Sequence, residues 1–217
     1  MMITGSLLTA FGCLFFLMSE YKQNQIGIWI FKTLAALGFI VVALGAGATS
    51  TPYGVTILIG LFLCLGGDVL LIPKSKIIFL LGIGSFLLGH IAFAIAFGRA
   101  GFDVNSALIV TVPMLILSGF ILRWLWPHLD SLMQKAVPAY IAAITVMVIL
   151  AVGCAVKHDA PWVAIGAIGF MFSDIAVARE RFVSSNLLNK LWGTPLYFGS
   201  QIVIASTTAI NVIQVNT

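Results

Sequence analysis

Residues 63–73 read LCLGGDVLLIP, and one carboxylate, Asp68, interrupts the otherwise uncharged run. The stretch closes a longer apolar segment over about 54–72, the length needed to cross a bilayer, so the fold turns on whether a carboxylate belongs inside a membrane helix. Outward from it the pattern repeats. Apolar segments of roughly 20 residues fall at about 3–19, 27–47, 54–72, 77–98, 104–122, 136–156, 160–178 and 191–213. They predict an all-α, polytopic membrane bundle of eight transmembrane helices, a single transmembrane domain over residues 1–217 with no stretch left over for a soluble domain. Composition agrees: 61% of the 217 residues are hydrophobic and 8% charged, and the mean hydropathy is +1.13, far above soluble domains.

The first segment carries no positive charge ahead of its apolar run and no small-residue cleavage site, so it is read as a retained helix. Counted by alternate loops, Lys22, Lys74, Lys76, Arg123, Lys135, Arg179, Arg181 and Lys190 share one side, against Arg99 and Lys157 on the other. The positive-inside rule makes the first side cytoplasmic and puts both termini outside. This bias accounts for the formal net charge of +4, which is therefore no sign of a nucleic-acid partner. Cys13, Cys64 and Cys154 fall in three different segments without metal or redox spacing and read as small packing residues.

Seven polar residues then need explaining: Lys32, Asp68, His90, Ser173, Asp174, Tyr197 and Gln201. A charge at the bilayer centre costs about 2.5–3.5 kcal/mol even on lenient insertion scales, so such groups face a partner or a water-filled cavity. With alternating helix directions, Asp68 and Asp174 lie near the cytoplasmic ends of helices 3 and 7. Lys32, Tyr197 and Gln201 lie in the inner halves of helices 2 and 8. His90 lies nearer mid-membrane and would floor an inward-opening pocket. Lys32 can instead snorkel to the interface, His90 and Gln201 can hold helices together, and Tyr197 can belong to an aromatic belt. A single Lys32, however, satisfies only one of two aspartates.

The segments GGDVLLIPKSK (66–76) and FSDIAVARER (172–181) both place Asp shortly before a basic loop, and His90 follows Asp68 by 22 residues as Tyr197 follows Asp174 by 23. That suggests a weak four-plus-four parallel repeat.

Lys32 early in helix 2, GDVLL (67–71), GHIAF (89–93), FSDIAVA (172–178) and YFGSQIVIAS (197–206), in that order on those helices, resemble the YhhN-type lysoplasmalogenases over essentially the whole chain. One departure is FKTL (31–34), which has Thr33 where the family often has Pro. The resemblance implies a membrane hydrolase that opens the vinyl-ether bond of a lysoplasmalogen, a lysophospholipid. The products are a fatty aldehyde and glycerophosphoethanolamine or glycerophosphocholine. A vinyl ether is opened by protonating its β-carbon, and water then adds to the resulting oxocarbenium ion. Two buried carboxylates can divide the work as proton donor and cation stabiliser, as in glycosidases. Asp68 and Asp174 are the candidate catalytic pair, and Lys32, His90, Ser173, Tyr197 and Gln201 the supporting or substrate-binding set. Asp174 is expected to be the ionised partner, held by Lys32, Ser173, Tyr197 and Gln201. No metal or other cofactor is called for, and no G-x-S-x-G elbow is present. The competing class is a small ion-coupled transporter using the same buried charges. Against it, the polar groups cluster toward one face, and helices 5 and 6 offer little polar lining beyond Ser118 and Thr145.

Overall fold

The computed structural model describes residues 1–73 and 75–210. Eight α-helices account for nearly all of them: α1 (Met2–Tyr21), α2 (Gln25–Gly45), α3 (Pro52–Leu70), α4 (Lys76–Ala100), α5 (Val104–Leu125), α6 (Met133–Lys157), α7 (Pro161–Ala178) and α8 (Leu187–Ser206). Lys74 and the 211–213 end of the predicted eighth segment lie outside the described residues.

Helix starts follow local chemistry. The Asn24, Thr51, Asp103 and Asn186 side chains accept from the backbone N–H of Gly27, Gly54, Ser106 and Leu188, satisfying donors that the first helical turn leaves free. Asp130 does the same for Leu132 and Met133, which starts α6 three residues before the predicted limit. The sequence reading also needs correcting at α8. It begins at Leu187, capped by Asn186, not near 191, and its regular part stops at Ser206. Among the described residues, seven helical stretches are long and apolar enough to cross a membrane. The remaining helix, α8, has 20 residues, about 30 Å at 1.5 Å per residue. Asn189, Lys190 and Thr194, with Tyr197, Ser200 and Gln201 further along, dilute its apolar character.

Consecutive helices form four hairpins, α1·α2, α3·α4, α5·α6 and α7·α8. The two halves then repeat their neighbours: α2 packs on α3 as α6 packs on α7, and α4 packs on α6 as α8 packs on α2. A four-plus-four parallel repeat has this pattern. Small residues let the backbones meet, as membrane packing requires. A Cβ on Gly12 would stand 2.6 Å from the Ala35 backbone nitrogen, and one on Gly67 2.5 Å from the Phe86 ring. Gly67 thereby draws α3 against α4 immediately beside Asp68.

Basic residues gather at one end. Lys76 Nζ donates to Asp130 at 2.7 Å, Lys190 Nζ to Glu20 at 2.6 Å, and the Arg181 guanidinium lies 3.9 Å from the Phe79 ring centre. These contacts tie α1, α4, α8 and the 5–6 and 7–8 linkers into one rim. At the opposite end Tyr53 and Thr207 share a hydrogen bond of 2.8 Å, and His158 Nε2 lies 2.8 Å from Ala100 O. Phe39, Phe93, Phe97, Phe170 and Phe198 fill the core between the ends, each at most 2% exposed.

Candidate functional site

The site is a polar layer held inside this aromatic core. Asp68, two residues from the end of α3, is 2% exposed and receives two partners. Tyr197 OH donates to Oδ2 at 2.6 Å, and Lys32 Nζ stands 3.5 Å from Oδ1. The Lys32 ammonium also lies 5.9 Å from the Phe16 ring centre, so an apolar wall backs the ion pair. α2 is unbroken from Gln25 to Gly45, consistent with Thr33 in place of a proline.

Asp174 forms the second centre. Tyr140 OH donates to Oδ2 at 3.2 Å, and His90 Nε2 lies 3.1 Å from the same oxygen. That approach is off the N–H axis, so Nε2 makes no formed hydrogen bond. The pair is a close polar contact without a formed hydrogen bond. The other ring nitrogen, Nδ1, is 2.8 Å from Phe86 O, a carbonyl that can only accept, so Nδ1 carries a hydrogen. Nε2 then presents either a lone pair or a second N–H to Asp174. A lone pair facing an ionised carboxylate is repulsive, whereas a proton on either group makes the contact attractive.

Aromatic rings join the centres. Phe170 stacks on His90 with centroids 4.3 Å apart and lies 5.6 Å from Tyr197, while Phe86 is 5.8 Å from Tyr197. Along the α3·α4 hairpin Gly67 faces Phe86 and Cys64 faces Gly89, so His90 sits about one helical turn deeper than Asp68. Lys32 and Asp174 keep 15% and 13% of their side-chain surface open, which leaves the layer reachable.

Several expectations are redistributed. Lys32 and Tyr197 belong to Asp68 rather than Asp174, because α8 packs on α2 and α3 and turns Tyr197 to that side. Ser173 Oγ donates to the Phe170 carbonyl of its own helix at 2.7 Å and does not reach Asp174. Gln201 Nε2 contacts Cys64 Sγ at 3.6 Å, deep in the core beside the layer. Tyr140, which donates to Asp174, is the residue of this layer that the sequence reading missed. Its signal was present: it is the eighth residue of α6 as Lys32 is the eighth of α2. Ser118 and Thr145, the polar pair noted on helices 5 and 6, bond to each other at 2.6 Å, away from the carboxylates.

The bundle and its buried charged layer define a polytopic membrane protein with an intramembrane polar site. Its family is identified by comparison: the YhhN family model matches residues 27–208, and the chain belongs to that family. It is 32% identical over 176 residues to proteins named lysoplasmalogenase from Mycobacterium bovis and Mycobacterium tuberculosis. That alignment covers 76% of this chain and 66% of each relative, so the chain spans about two thirds of their length. It is 27% identical over 184 residues to "Lysoplasmalogenase TMEM86A" of Bos taurus, covering 82% of this chain and 72% of that protein. No solved structure matches.

Proposed function

We propose that the chain is an integral membrane hydrolase that opens the vinyl ether of a lysoplasmalogen, with the basic rim cytoplasmic and both termini on the other side. One observation carries the reading: two carboxylates share a buried layer, one beside a lysine and the other beside an imidazole. The names of its relatives point to the same substrate. The apolar bundle suits the single chain of a lysolipid, and the basic rim suits its phosphate.

In this reading Asp174 is the acid and Asp68 the standing anion, reversing the division of labour suggested by the sequence. The Asp174 O–H proton passes to the β-carbon of the vinyl ether, whose π electrons form the new C–H bond. The O–H electrons remain on the Asp174 carboxylate. The α-carbon becomes an oxocarbenium ion, which the Asp68 carboxylate and the faces of Phe86 and Phe170 stabilise. Water adds to that carbon, and its proton returns through His90 to Asp174. The hemiacetal then collapses: a proton moves from its hydroxyl to the glycerol oxygen, the carbon–oxygen bond breaks, and aldehyde and alcohol leave.

The test is release of fatty aldehyde from a defined vinyl-ether lysolipid by the detergent-purified chain, with Asp68→Asn and Asp174→Asn alongside. Aldehyde from wild type that is lost in both folded variants is the expected result. Intact lipid in every sample, with charge or lipid flux in proteoliposomes, would replace this reading by the transporter.

A further inference from the structure

We infer that the polar layer is one half-site built twice, in which the first repeat supplies a base and the second a phenol to each aspartate, and that the stronger base, Lys32, fixes Asp174 as the proton-bearing carboxyl. The inference deepens the reading above and rests on its division of roles between the aspartates.

The spacings are the first observation. Lys32 and Tyr140, Asp68 and Asp174, and His90 and Tyr197 are separated by 108, 106 and 107 residues. These pairs occupy α2 and α6, α3 and α7, and α4 and α8 in turn. The near-constant offset extends the Asp repeat to every group touching a carboxylate.

The contacts are the second. Asp68 takes Lys32 from its own half and Tyr197 from the other. Asp174 takes Tyr140 from its own half and His90 from the other. Each aspartate is therefore held by one residue of each repeat, with the α4 and α8 residues exchanged across the axis. Two identical subunits around a two-fold axis produce the same reciprocity. The α4·α6 and α8·α2 packing is its scaffold.

Both bases, Lys32 and His90, lie in the first repeat, and both phenols, Tyr140 and Tyr197, in the second. The phenols donate to the two carboxylates unequally, at 2.6 Å to Asp68 and 3.2 Å to Asp174, which favours the anion at Asp68. The bases differ in the same sense: an ammonium stands beside Asp68, and an imidazole with one nitrogen committed to Phe86 O stands beside Asp174. Cys64, next to Gln201, is the remaining titratable group at the layer. A buried neutral acid and neutral imidazole cost less than a buried ion pair of the same groups, so a proton held between them rests on Asp174, with Nε2 its unprotonated neighbour at 3.1 Å.

Difference infrared spectroscopy of the detergent-purified full chain, exchanged between light and heavy water at neutral pH, reads the proton directly through the carbonyl band of a protonated carboxylic acid. The other carboxylates stand at the ends of the bundle. One band is expected in wild type, lost in Asp174→Asn and kept in Asp68→Asn. Lys32→Met should add a second band that Asp68→Asn removes. Tyr140→Lys, which places an ammonium at the position equivalent to Lys32, should abolish the original band. If Lys32→Met does not fold, Tyr140→Lys and the aspartate variants carry the test. No band in wild type, loss of the band in Asp68→Asn, or a spectrum indifferent to Lys32→Met and Tyr140→Lys overturns the inference. Because the spectrum needs no substrate, the expected bands in a chain that releases no aldehyde would sink the substrate reading alone. Aldehyde release with the proton on Asp68 would sink this inference alone.

Discussion

Tyr197→Phe removes one oxygen and leaves the surrounding packing intact. The ring is 8% exposed and contacts Phe39, Phe86, Phe170 and Phe198 at centroid distances of 6.5, 5.8, 5.6 and 4.9 Å, contacts that phenylalanine keeps. The lost group donates at 2.6 Å to Asp68, a buried carboxylate then left with Lys32 at 3.5 Å. A hydrogen bond to a charged group contributes about 1.5–3 kcal/mol, so the variant should unfold more easily by that amount. If the weakened anion is the one opposing the oxocarbenium ion, aldehyde release should fall about 10- to 150-fold, at 1.36 kcal/mol per tenfold. The assay is a double-mutant cycle with Asp68→Asn, read both as unfolding free energy in detergent and as aldehyde release. In the Asp68→Asn background Tyr197→Phe should cost about 0.5–1.5 kcal/mol, roughly half as much, since a bond between neutral partners is about half as strong. An equal cost in both backgrounds would mean that the phenol acts through packing, and the ionised Asp68 would have to be given up.

Tyr140→Phe should reduce aldehyde release less than Tyr197→Phe does, because its bond to Asp174 is longer, at 3.2 Å; parallel rate measurements on the two variants decide this. Gly12→Val should destabilise the α1·α2 hairpin by about 1–3 kcal/mol through overpacking, whereas Gly84→Ala, whose Cβ meets nothing within 4 Å, should leave the unfolding midpoint nearly unchanged. Glu180 accepts from Ser185 Oγ, Asn186 N and Asn189 Nδ2, so Glu180→Ala should open the 184–189 linker to limited proteolysis before any helix is cut. The Lys76 side chain and the Met133 N–H hold the Asp130 carboxyl below the ordinary carboxylate range. A lowered folded value stabilises above the unfolded one and is lost as pH falls through it. The stability gap between wild type and Asp130→Asn should therefore be flat near neutral pH and close in acid; a gap that widens in acid contradicts the assignment.

Length and hydropathy made seven of the eight helices legible to within a few residues, because a membrane span leaves little choice of element. The polar layer was legible too: with helix directions alternating, depth follows from counting residues inward from each loop, and this brought Lys32, Asp68, Asp174 and Tyr197 together before any contact was known. Pairing was not legible. Depth is a one-dimensional property, while the choice of Asp68 over Asp174 for Lys32 depends on which helices lie side by side. Ser173 fails for a rotational reason, its hydroxyl folding back on the Phe170 carbonyl. Tyr140 escaped because a lone tyrosine near a membrane edge reads as an interfacial anchor, and only its equivalence to Lys32 in the second repeat marks it. The start of α8 was displaced because Asn189 and Lys190 look like linker until Asn189 is seen buried, donating to Glu180 and the Ser184 carbonyl.

The measurement that bears most directly on the account is hydrolysis of a vinyl-ether lysolipid in heavy water, with the aldehyde trapped at once by reduction and examined by mass spectrometry. Protonation of carbon by an exchangeable site acid predicts one solvent deuterium on the carbon next to the former aldehyde carbon, in a product that Asp68→Asn and Asp174→Asn fail to form. Aldehyde released without that deuterium, or formed at the wild-type rate by both folded variants, would contradict acid opening of a vinyl ether by these two aspartates.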